Sequence, residues 1–457
     1  MADSGVRVRD VWRRTVALSW PIAVQQTLNT LMRTVDILVT GLFSPAAVAA
    51  VGLADLYAQL PLRIGLGLGT GAIALSSQDT GRGAEATRDA AITQALGIGF
   101  VAGLPLTVAG LTLSEPLIAL LGADPGVVEM SGRYLTLLFV AAPMRIVGIV
   151  GARSLQGTGD TRTPMVVNGT ANGLNIAATV GLGLGLGPLP ALGIVGVGLA
   201  TAISRTLEAV AMTTAIAGGR TALSLARPRS AVITRQLVAV SLPNFAEGMS
   251  TSLANFPFNA LLLTFGTEVT AAYYIGRRAY QQFSGPLYRS ASVAASIVVG
   301  QTLGEGRPTD ARAAALAITA LSLLALSVSA TVLVVGARPI ARLFTSDAAT
   351  LEYAVVFTRV FGVSMVAFGL FFPLSGCLRG AGETRTPFYA RFTGTFGFLL
   401  AFSYLTAIAL GYGLAGIYAG IVLNYVWWVL VVGVGFVRGD WAETAAAMMA
   451  ERADASD

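Results

Sequence analysis

Apolar stretches long enough to cross a bilayer alternate along this chain with short loops marked by Gly, Pro and Arg. Runs such as 316–335 and 396–410 carry no charged residue. The pattern predicts twelve transmembrane spans, six in each half, and therefore an all-α integral membrane protein. Their predicted limits are 16–42, 46–78, 90–112, 128–152, 164–187, 192–217, 236–265, 269–300, 312–336, 351–377, 387–410 and 414–437.

The second half of the chain repeats the first at an offset of 223 residues. The segment Leu155–Pro164 (LQGTGDTRTP) returns as Leu378–Pro387 (LRGAGETRTP), with seven of ten positions identical. Six spans per half leave both copies in the same orientation across the membrane. We therefore predict two six-helix bundles, over residues 1–225 and 226–457, as parallel repeats about a pseudo-twofold axis normal to the membrane, with a cavity between them.

The basic residues are all arginine, and they crowd one side of this arrangement. The opposite loops hold mainly Arg133, Arg338 and Arg342. By the positive-inside rule the crowded side, with both chain termini and the linker at 218–235, is expected to be cytoplasmic. The net charge of +6 then follows from a multi-pass topology in the plasma membrane, and a nucleic-acid partner is not expected.

The residue types that are missing restrict the chemistry. The chain has no histidine, and its single cysteine is Cys377. A histidine base, a histidine metal ligand and a Ser–His pair are therefore all absent from the sequence. This composition argues against an enzyme, a metal site and a bound cofactor, because it removes most membrane-embedded hydrolases and metalloenzymes. A membrane-embedded transferase is left as a poor alternative.

Asp36 is the leading candidate for a functional charge, because an ionisable group within a membrane span is expensive and is usually kept for function. The corresponding segment of the second half, Phe258–Gly266, contains no acid. A role confined to one half suits a specific chemical task better than a shared scaffold does. The alternative is that Arg33, three residues earlier on the same helix face, simply neutralises the carboxylate.

A polar stripe in the fifth span is the predicted surround of Asp36. Its members recur at spacings of four, three and four residues, which places them on one helix face: Asn168, Asn172, Asn175 and Thr179. With Thr201 or Ser204 of the next span, they would hold the carboxylate and supply oxygens to a proton or small cation. Plain hydrogen bonding between helices is the alternative, and the two roles are compatible.

Other polar residues in the spans are candidates for lining a substrate cavity. This set comprises Asp55, Tyr57, Glu247, Arg278 and Tyr280. Asp55 aligns with Arg278 in the repeat, whereas Glu247 follows Pro243 by four residues. Asp55 and Glu247 could instead belong to structural ion pairs. Six further intramembrane arginines, Arg205 among them, could reach an interface or line the cavity.

The duplicated six-span unit and the paired LxGxG(D/E)TRTP loops resemble the multidrug and toxic compound extrusion (MATE) family over nearly the whole chain. The first span is similar to the DinF-like branch of that family. The resemblance implies that Asp36 couples transport to a cation and that Pro21 is associated with bending of the first helix. The family's fifth-helix Asn-x-x-x-Asp pattern matches Asn175 but has Thr179 in place of the second acid.

The resemblance also implies a function. We expect a secondary active antiporter that works by alternating access, in which cation uptake, of a proton in preference to sodium, drives export of amphipathic, often cationic compounds. The expected partners are the small-molecule substrate and the lipid bilayer, around a monomer without a cofactor. The alternative function is a lipid-linked saccharide flippase of the same superfamily, which the intramembrane arginines keep open.

Overall fold

The computed structural model describes residues 7–186, 188–228 and 230–455, and these residues form helices and connecting turns without a strand. The predicted all-α fold is confirmed. Two positions used in the sequence interpretation lie outside the described residues, namely Gly187 at the end of the fifth predicted span and Arg229 in the linker. Residues 1–6, 456 and 457, at the two ends of the chain, lie outside them too.

Fifteen α-helices occur in the described chain. They are α1 (Val8–Gly41), α2 (Pro45–Gly81), α3 (Glu85–Ala119), α4 (Pro125–Val140), α5 (Ala142–Gly157), α6 (Arg162–Leu184), α7 (Gly193–Ala217), α8 (Ala231–Leu263), α9 (Thr267–Gly304), α10 (Pro308–Val335), α11 (Ala337–Arg342), α12 (Ala348–Gly380), α13 (Arg385–Gly394), α14 (Leu414–Arg438) and α15 (Trp441–Asp454). Helix α13 continues into π-helical turns at Thr395–Phe402 and Leu405–Ala409.

Each of the twelve predicted spans corresponds to one long helical segment. The fourth is broken, because α4 and α5 meet at an angle of 48°. Pro143, the second residue of α5, lacks the N–H that would continue the helical hydrogen bonds across the break. The short helix α11 and the C-terminal helix α15 were not predicted, since neither contains an apolar run of bilayer length.

Among the described helices, eight spans are apolar enough to cross a membrane by length and composition alone, if the bent α4–α5 pair is one span. The four other long helices are α1, α6, α8 and α9. These four also carry most of the candidate residues, including Asp36, Asn175 and Glu247. Polar side chains in a span have to find partners inside the protein, so these helices show where such partners are needed.

The chain divides into two compact units. The first unit holds Val24–Ser241 and the described residues after Ala450, and the second unit holds the described residues before Val24 together with Leu242–Ala450. The division crosses α1 and α8 within two residues of Pro21 and Pro243. A proline inside a helix removes a backbone hydrogen bond, so both helices are locally weakened there. The sequence boundary at residues 225 and 226 remains a prediction for the repeated halves.

The repeated GxG(D/E)TRT segment forms the same helix-to-helix turn in each half. Its second glycine has a left-handed backbone, with φ of 97° at Gly159 and 87° at Gly382, which side chains other than glycine rarely tolerate. The acid that follows then caps the next helix. Asp160 Oδ1 accepts from the backbone N of Thr163 over 2.9 Å, and Glu383 makes the equivalent bond. The strongest repeat in the sequence therefore specifies a turn.

The end of the C-terminal helix, which belongs to the first unit, is held by a buried arginine. Arg452 donates to Asp79 Oδ1 and Gln78 Oε1, each at 2.9 Å, and to Gln236 Oε1 at 2.6 Å. The side chains of Arg452 and Asp79 are both fully buried. Arg82 Nε also lies 3.0 Å from Asp79 Oδ1. An ion pair so far from solvent is costly to break, because the remaining partner is left uncompensated.

We expect Arg452→Ala to release the end of α15. The loss should be roughly 3 kcal/mol, the low end for a buried ion pair, because Arg82 still faces Asp79. Limited proteolysis of the purified protein should then remove the C-terminus faster. Arg235→Ala is the matched control, since the Arg235–Glu451 pair is largely exposed and contributes little. Equal cleavage rates for the two variants would contradict this assignment.

Candidate functional site

Asp36 lies in the first unit, five residues before the end of α1, and is only 8% exposed. Within the described chain, no arginine nitrogen comes within 4.0 Å of its carboxylate. Arg33 has an exposed side chain and forms no ion pair with Asp36. Direct neutralisation by Arg33, the alternative raised by the sequence, is therefore not what this geometry shows.

Two side chains of α6 hold the Asp36 carboxylate. Thr179 Oγ1 donates to Asp36 Oδ1 over 3.0 Å. The Asn175 amide is oriented so that its neighbours are satisfied. In this orientation its nitrogen donates to the same Asp36 oxygen over 3.3 Å, and its oxygen accepts from the backbone N of Thr201, also over 3.3 Å. The Ser204 hydroxyl lies 3.2 Å from that amide. The structure thus brings together Asp36, Asn175, Thr179 and Thr201, which the sequence had grouped.

The rest of the polar stripe pairs with α7, and we call these contacts the α6–α7 ladder. Successive residues of the stripe meet successive residues of α7 in the opposite order, as expected for antiparallel neighbours. The pairs are Asn168 with Glu208 at 2.7 Å, Asn172 with Arg205 at 3.2 Å and Asn175 with Thr201 at 3.2 Å. Both helices therefore present polar faces with matching spacings of four and three residues.

Asn172 contacts the carboxylate site indirectly. Its Nδ2 donates to Asn29 Oδ1 of α1 and to Asn168 Oδ1, each over 3.0 Å. It does not hydrogen-bond Asp36 in this structure. Asn172 was predicted as a coupling residue, and the structure places it one helical turn along α6 from the Asn175–Asp36 contact.

Glu208 and Asn29 are parts of this network that the sequence interpretation missed. Both are buried or half-buried on helices that face the stripe. A usable signal was present in α7, where Thr201, Arg205 and Glu208 recur at spacings of four and three. That spacing matches the stripe of α6, so two complementary polar faces could have been paired from the sequence.

An apolar cluster packs close to the Asp36 end of α1. Val39, one turn after Asp36, belongs to it. Its other buried members come from α2, α3, α4 and α7: Ala50, Val51, Ala54, Ala58, Ile118, Tyr134, Leu135, Leu138, Phe139, Ile194 and Val197. The side-chain hydrogen bonds to this carboxylate all come from α6, so each of them matters more beside such an apolar cluster.

Glu247, in the second unit, has a different environment. Its carboxylate accepts from Arg379 at 2.8 and 3.0 Å and from Arg391 at 2.7 Å. Arg391 also lies over the ring of Trp428, 4.5 Å from its centroid. Glu247 is therefore a member of a buried ion-pair cluster, which was the alternative role considered for it.

The repeat-equivalent contact in the first unit is neutral. Gln156 Nε2 donates to Gln25 Oε1 over 3.3 Å, and these two residues occupy the positions of Arg379 and Glu247 in the repeat. The same helix contact is therefore an amide pair in one half and an ion pair in the other. The two units share a backbone plan but differ in their internal charge.

The other cavity candidates are divided between the two units. In the first unit Asp55 is half-buried, and Tyr57 Oη donates to the carbonyl of Leu117 over 2.8 Å. In the second unit Arg278 is exposed, whereas Tyr280 is buried among aromatic rings. Their contribution to a substrate cavity remains a prediction.

Tyr280 belongs to an aromatic row between α9 and α12. Its ring centroid lies 4.8 Å from that of Phe361 and 5.6 Å from that of Phe368. Two other α9 residues contact the same two rings of α12. The ring centroid of Tyr273 lies 5.8 Å from that of Phe361, and the ring centroid of Tyr288 lies 5.2 Å from that of Phe368. The contact between α9 and α12 in the second unit is therefore aromatic, whereas the α6–α7 ladder of the first unit is polar.

A sequence model of the MatE family matches residues 21–180 and 243–405, once in each half. The chain belongs to the MatE family. The resemblance found in the sequence is thereby confirmed, and so is the predicted duplication. MatE proteins are membrane transporters and not enzymes, and they need no cofactor. The assignment to the DinF-like branch remains a prediction.

Relatives and solved structures agree with this assignment over more than nine-tenths of the chain. The chain is 25% identical to the probable multidrug resistance protein NorM of Thermotoga maritima, covering 96% of this chain and 95% of that protein. It is 28% identical to the multidrug resistance protein NorM of Burkholderia vietnamiensis, covering 93% and 91%.

A crystal structure described as MATE in the bent conformation superposes with a TM-score of 0.87 at 23% identity and covers 97% of each chain. At this identity the likeness concerns the fold alone. It shows that the all-α, multi-pass architecture of this chain is that of MatE transporters.

Proposed function

We propose that this protein is a multidrug efflux transporter that exports amphipathic, often cationic compounds by proton antiport. The names of the NorM relatives support multidrug export. The observation that carries the coupling proposal is the Asp36 site. It is a buried carboxylate held by neutral hydrogen-bond donors, without an arginine within ion-pair distance in the described chain.

The donors around Asp36 favour a proton over a sodium ion. Thr179 and Asn175 both present hydrogens to the same carboxylate oxygen. A hard cation would instead require several oxygens directed at one point. Glu247, the acidic candidate of the second unit, already accepts from two arginines and offers no free charge for a cation. We therefore assign coupling to Asp36 and a structural role to Glu247.

Proton exchange at Asp36 provides a physical link to conformation. Protonation removes a buried charge and changes which hydrogen bonds the carboxyl group can make to α6. It therefore shifts the relative stability of two packings of α1 against its neighbours. Pro21, next to the point where α1 passes between units, supplies the weak site about which such a change can occur. A substrate that prefers one packing is then coupled to the proton.

The remaining parts of the proposal concern the cell. We place the transporter as a monomer in the plasma membrane, with both termini and the 218–235 linker in the cytoplasm, because arginine is strongly enriched on that side. Asp55, Tyr57, Arg278 and Tyr280 are proposed as cavity-lining residues. Flipping of a lipid-linked saccharide is not favoured by the relatives.

The test of the proposed function is substrate transport in proteoliposomes under separately imposed proton and sodium gradients. A fluorescent cationic dye should be moved against its gradient when only a proton gradient is present. Transport driven by sodium alone would overturn the coupling assignment. Failure to move any cationic dye, together with scrambling of labelled lipid, would favour the flippase.

Single changes of the α6 donors should reduce transport only partly. Thr179→Val removes one donor to Asp36 but keeps the side-chain shape, and Asn175→Ala removes the other. Each hydrogen bond to a charged group is worth about 1.5–3 kcal/mol, and the remaining donor still holds the carboxylate. We expect a graded loss of proton-driven dye uptake in each variant and near-complete loss in the double variant. Wild-type rates in the double variant would show that the two donors do not serve coupling.

A further inference from the structure

The ion pair of Arg205 and Glu208 stands directly beside the coupling site but takes no part in the contacts of Asp36 described above. Arg205 Nη1 lies 2.6 Å from Glu208 Oε2, and the two side chains are 13% and 8% exposed. The other carboxylate oxygen, Oε1, accepts from Asn168 Nδ2 over 2.7 Å. Each oxygen of Glu208 therefore has a partner, one a cation and the other an amide, and both partners belong to the α6–α7 ladder.

The second terminal nitrogen of Arg205 points towards α1. Its Nη2 donates to Asn172 Oδ1 over 3.2 Å and contacts Met32 Sδ at 3.0 Å. Met32 precedes Asp36 by four residues, so both lie on the same face of α1. A thioether is a weak acceptor. The guanidinium is thus held tightly on the Glu208 side and loosely on the side that faces the Asp36 turn.

Among the other charged groups around the site, Asp55 of α2 is a half-buried acid whose negative charge acts on Asp36 in the opposite sense to an arginine. The remaining ones are engaged elsewhere or exposed. Arg145 of α5 donates to the carbonyl of Ala58 over 3.1 Å, and Arg33 of α1 is exposed. On α4, Glu129 and Arg133 form an exposed pair with each other. Helix α6 presents only the amides and hydroxyl of its stripe. Arg205 is therefore the cation best placed to act on Asp36 from within the ladder.

We propose that Arg205 and Glu208 are positioning residues that set the pH range over which Asp36 exchanges its proton. Glu208 anchors the guanidinium beside Met32, which lies one helical turn along α1 from Asp36, and there the cation favours the charged carboxylate without forming an ion pair with it. This inference rests on the proposed function, because it presumes that Asp36 carries the coupled proton. The proposed function names the proton-carrying group, and this inference names the residues that determine the pH at which that group exchanges its proton. The α6 donors alone do not determine that pH.

The sign of the expected shift follows from the charges. In Glu208→Gln the guanidinium loses its counter-ion, and the long side chain is free to turn towards Asp36. A cation in contact with a carboxylate favours its charged form and moves its titration to lower pH by about one to three units. The midpoint of the pH dependence of transport should therefore move to lower pH by about that amount. Arg205→Gln removes the cation and should move the midpoint the opposite way.

The double variant isolates the mechanism. The acid shift of Glu208→Gln requires the freed guanidinium, so it should disappear when Arg205→Gln is added. This is a double-mutant cycle in which the two residues are strongly coupled. Arg205→Lys retains a charge and is the conservative control, which should stay closer to the wild-type midpoint than Arg205→Gln does. A purely structural pair would lower the yield or the maximal rate of every variant and leave the midpoint in place.

The experiment is proton-driven uptake of a cationic dye by proteoliposomes holding the full chain, measured as a function of pH. Opposite midpoint shifts for Glu208→Gln and Arg205→Gln are the expected result. An unchanged midpoint in both, in a protein whose proton coupling depends on Asp36, would overturn the inference alone. If wild-type uptake does not depend on Asp36 or on protons, the proposed function fails first. If Glu208→Gln does not fold, Arg205→Gln still tests the sign.

Discussion

Asp36→Asn is expected to abolish coupled export while leaving a folded, membrane-inserted protein. Asparagine keeps the size of the side chain and can still accept from Thr179, but it carries no exchangeable proton. The variant imitates the protonated site permanently, so the proton gradient no longer has a group to act on. Dye uptake by proteoliposomes under a proton gradient should fall to the level of empty vesicles.

The control for this prediction is a conservative change at another half-buried acid of the same unit. Asp55→Asn removes a carboxylate from α2 that has no assigned part in coupling. It should keep a measurable proton-driven uptake, although the apparent affinity for the dye can change if Asp55 lines the cavity. If Asp36→Asn transports at the wild-type rate with an unchanged pH dependence, the coupling site has been placed wrongly.

The second large effect is expected at Glu247, on stability and not on coupling. Glu247→Gln leaves Arg379 and Arg391 without their shared counter-ion in a position where the carboxylate is only 4% exposed. Removing one partner of a buried ion pair costs about 3–5 kcal/mol, and two cations are stranded here. The melting temperature of the detergent-purified variant should fall clearly, and the expressed amount should fall with it.

The repeat supplies a matched control for this change. Gln25→Ala removes the equivalent residue of the first unit, where only one neutral hydrogen bond, to Gln156, is lost. Such a bond contributes about 1 kcal/mol, so the melting temperature should fall much less. If Glu247→Gln were as stable as Gln25→Ala but had lost proton coupling, Glu247 would be a coupling residue and not a structural one.

The helical architecture could be predicted well because two independent features of the sequence indicate each span. One is a run of apolar residues, and the other is the repeat, which specifies each helix twice. The turn at Gly159 and Gly382 shows why the repeat is so clear, since a left-handed backbone leaves little choice of residue. The break at Pro143 was missed because an apolar run continues through it.

The Asp36 site was partly predictable for a related reason. A carboxylate and a periodic set of amides stand out in an apolar background, and helical spacing places Asn175 and Thr179 on one face. On α7, Thr201 was grouped with the site from the sequence, but Arg205 was interpreted only as an arginine that could reach an interface or line the cavity, and Glu208 was not singled out. Which helix lies against α6, and in what register, is a tertiary fact that one helix's spacing does not contain.

The clusters around Glu247 and Arg452 were not predictable in the same way. Each joins residues more than 130 positions apart in the chain, and each depends on long side chains whose reach allows many partners. Glu247 was noticed through its distance from Pro243, yet nothing in the sequence shows that Arg379 and Arg391 both point at it. Contacts of this kind require the packed helices.

The most direct measurement is proton release by the purified transporter when a cationic substrate binds. In weakly buffered detergent solution, a pH-sensitive dye would follow the protons released on addition of substrate near the midpoint pH. If Asp36 exchanges its proton for substrate, the wild type should release about half a proton per chain at saturation, because half of the sites are protonated at this pH, and Asp36→Asn should bind substrate without releasing any. Equal proton release by Asp36→Asn and the wild type would contradict proton antiport through this carboxylate.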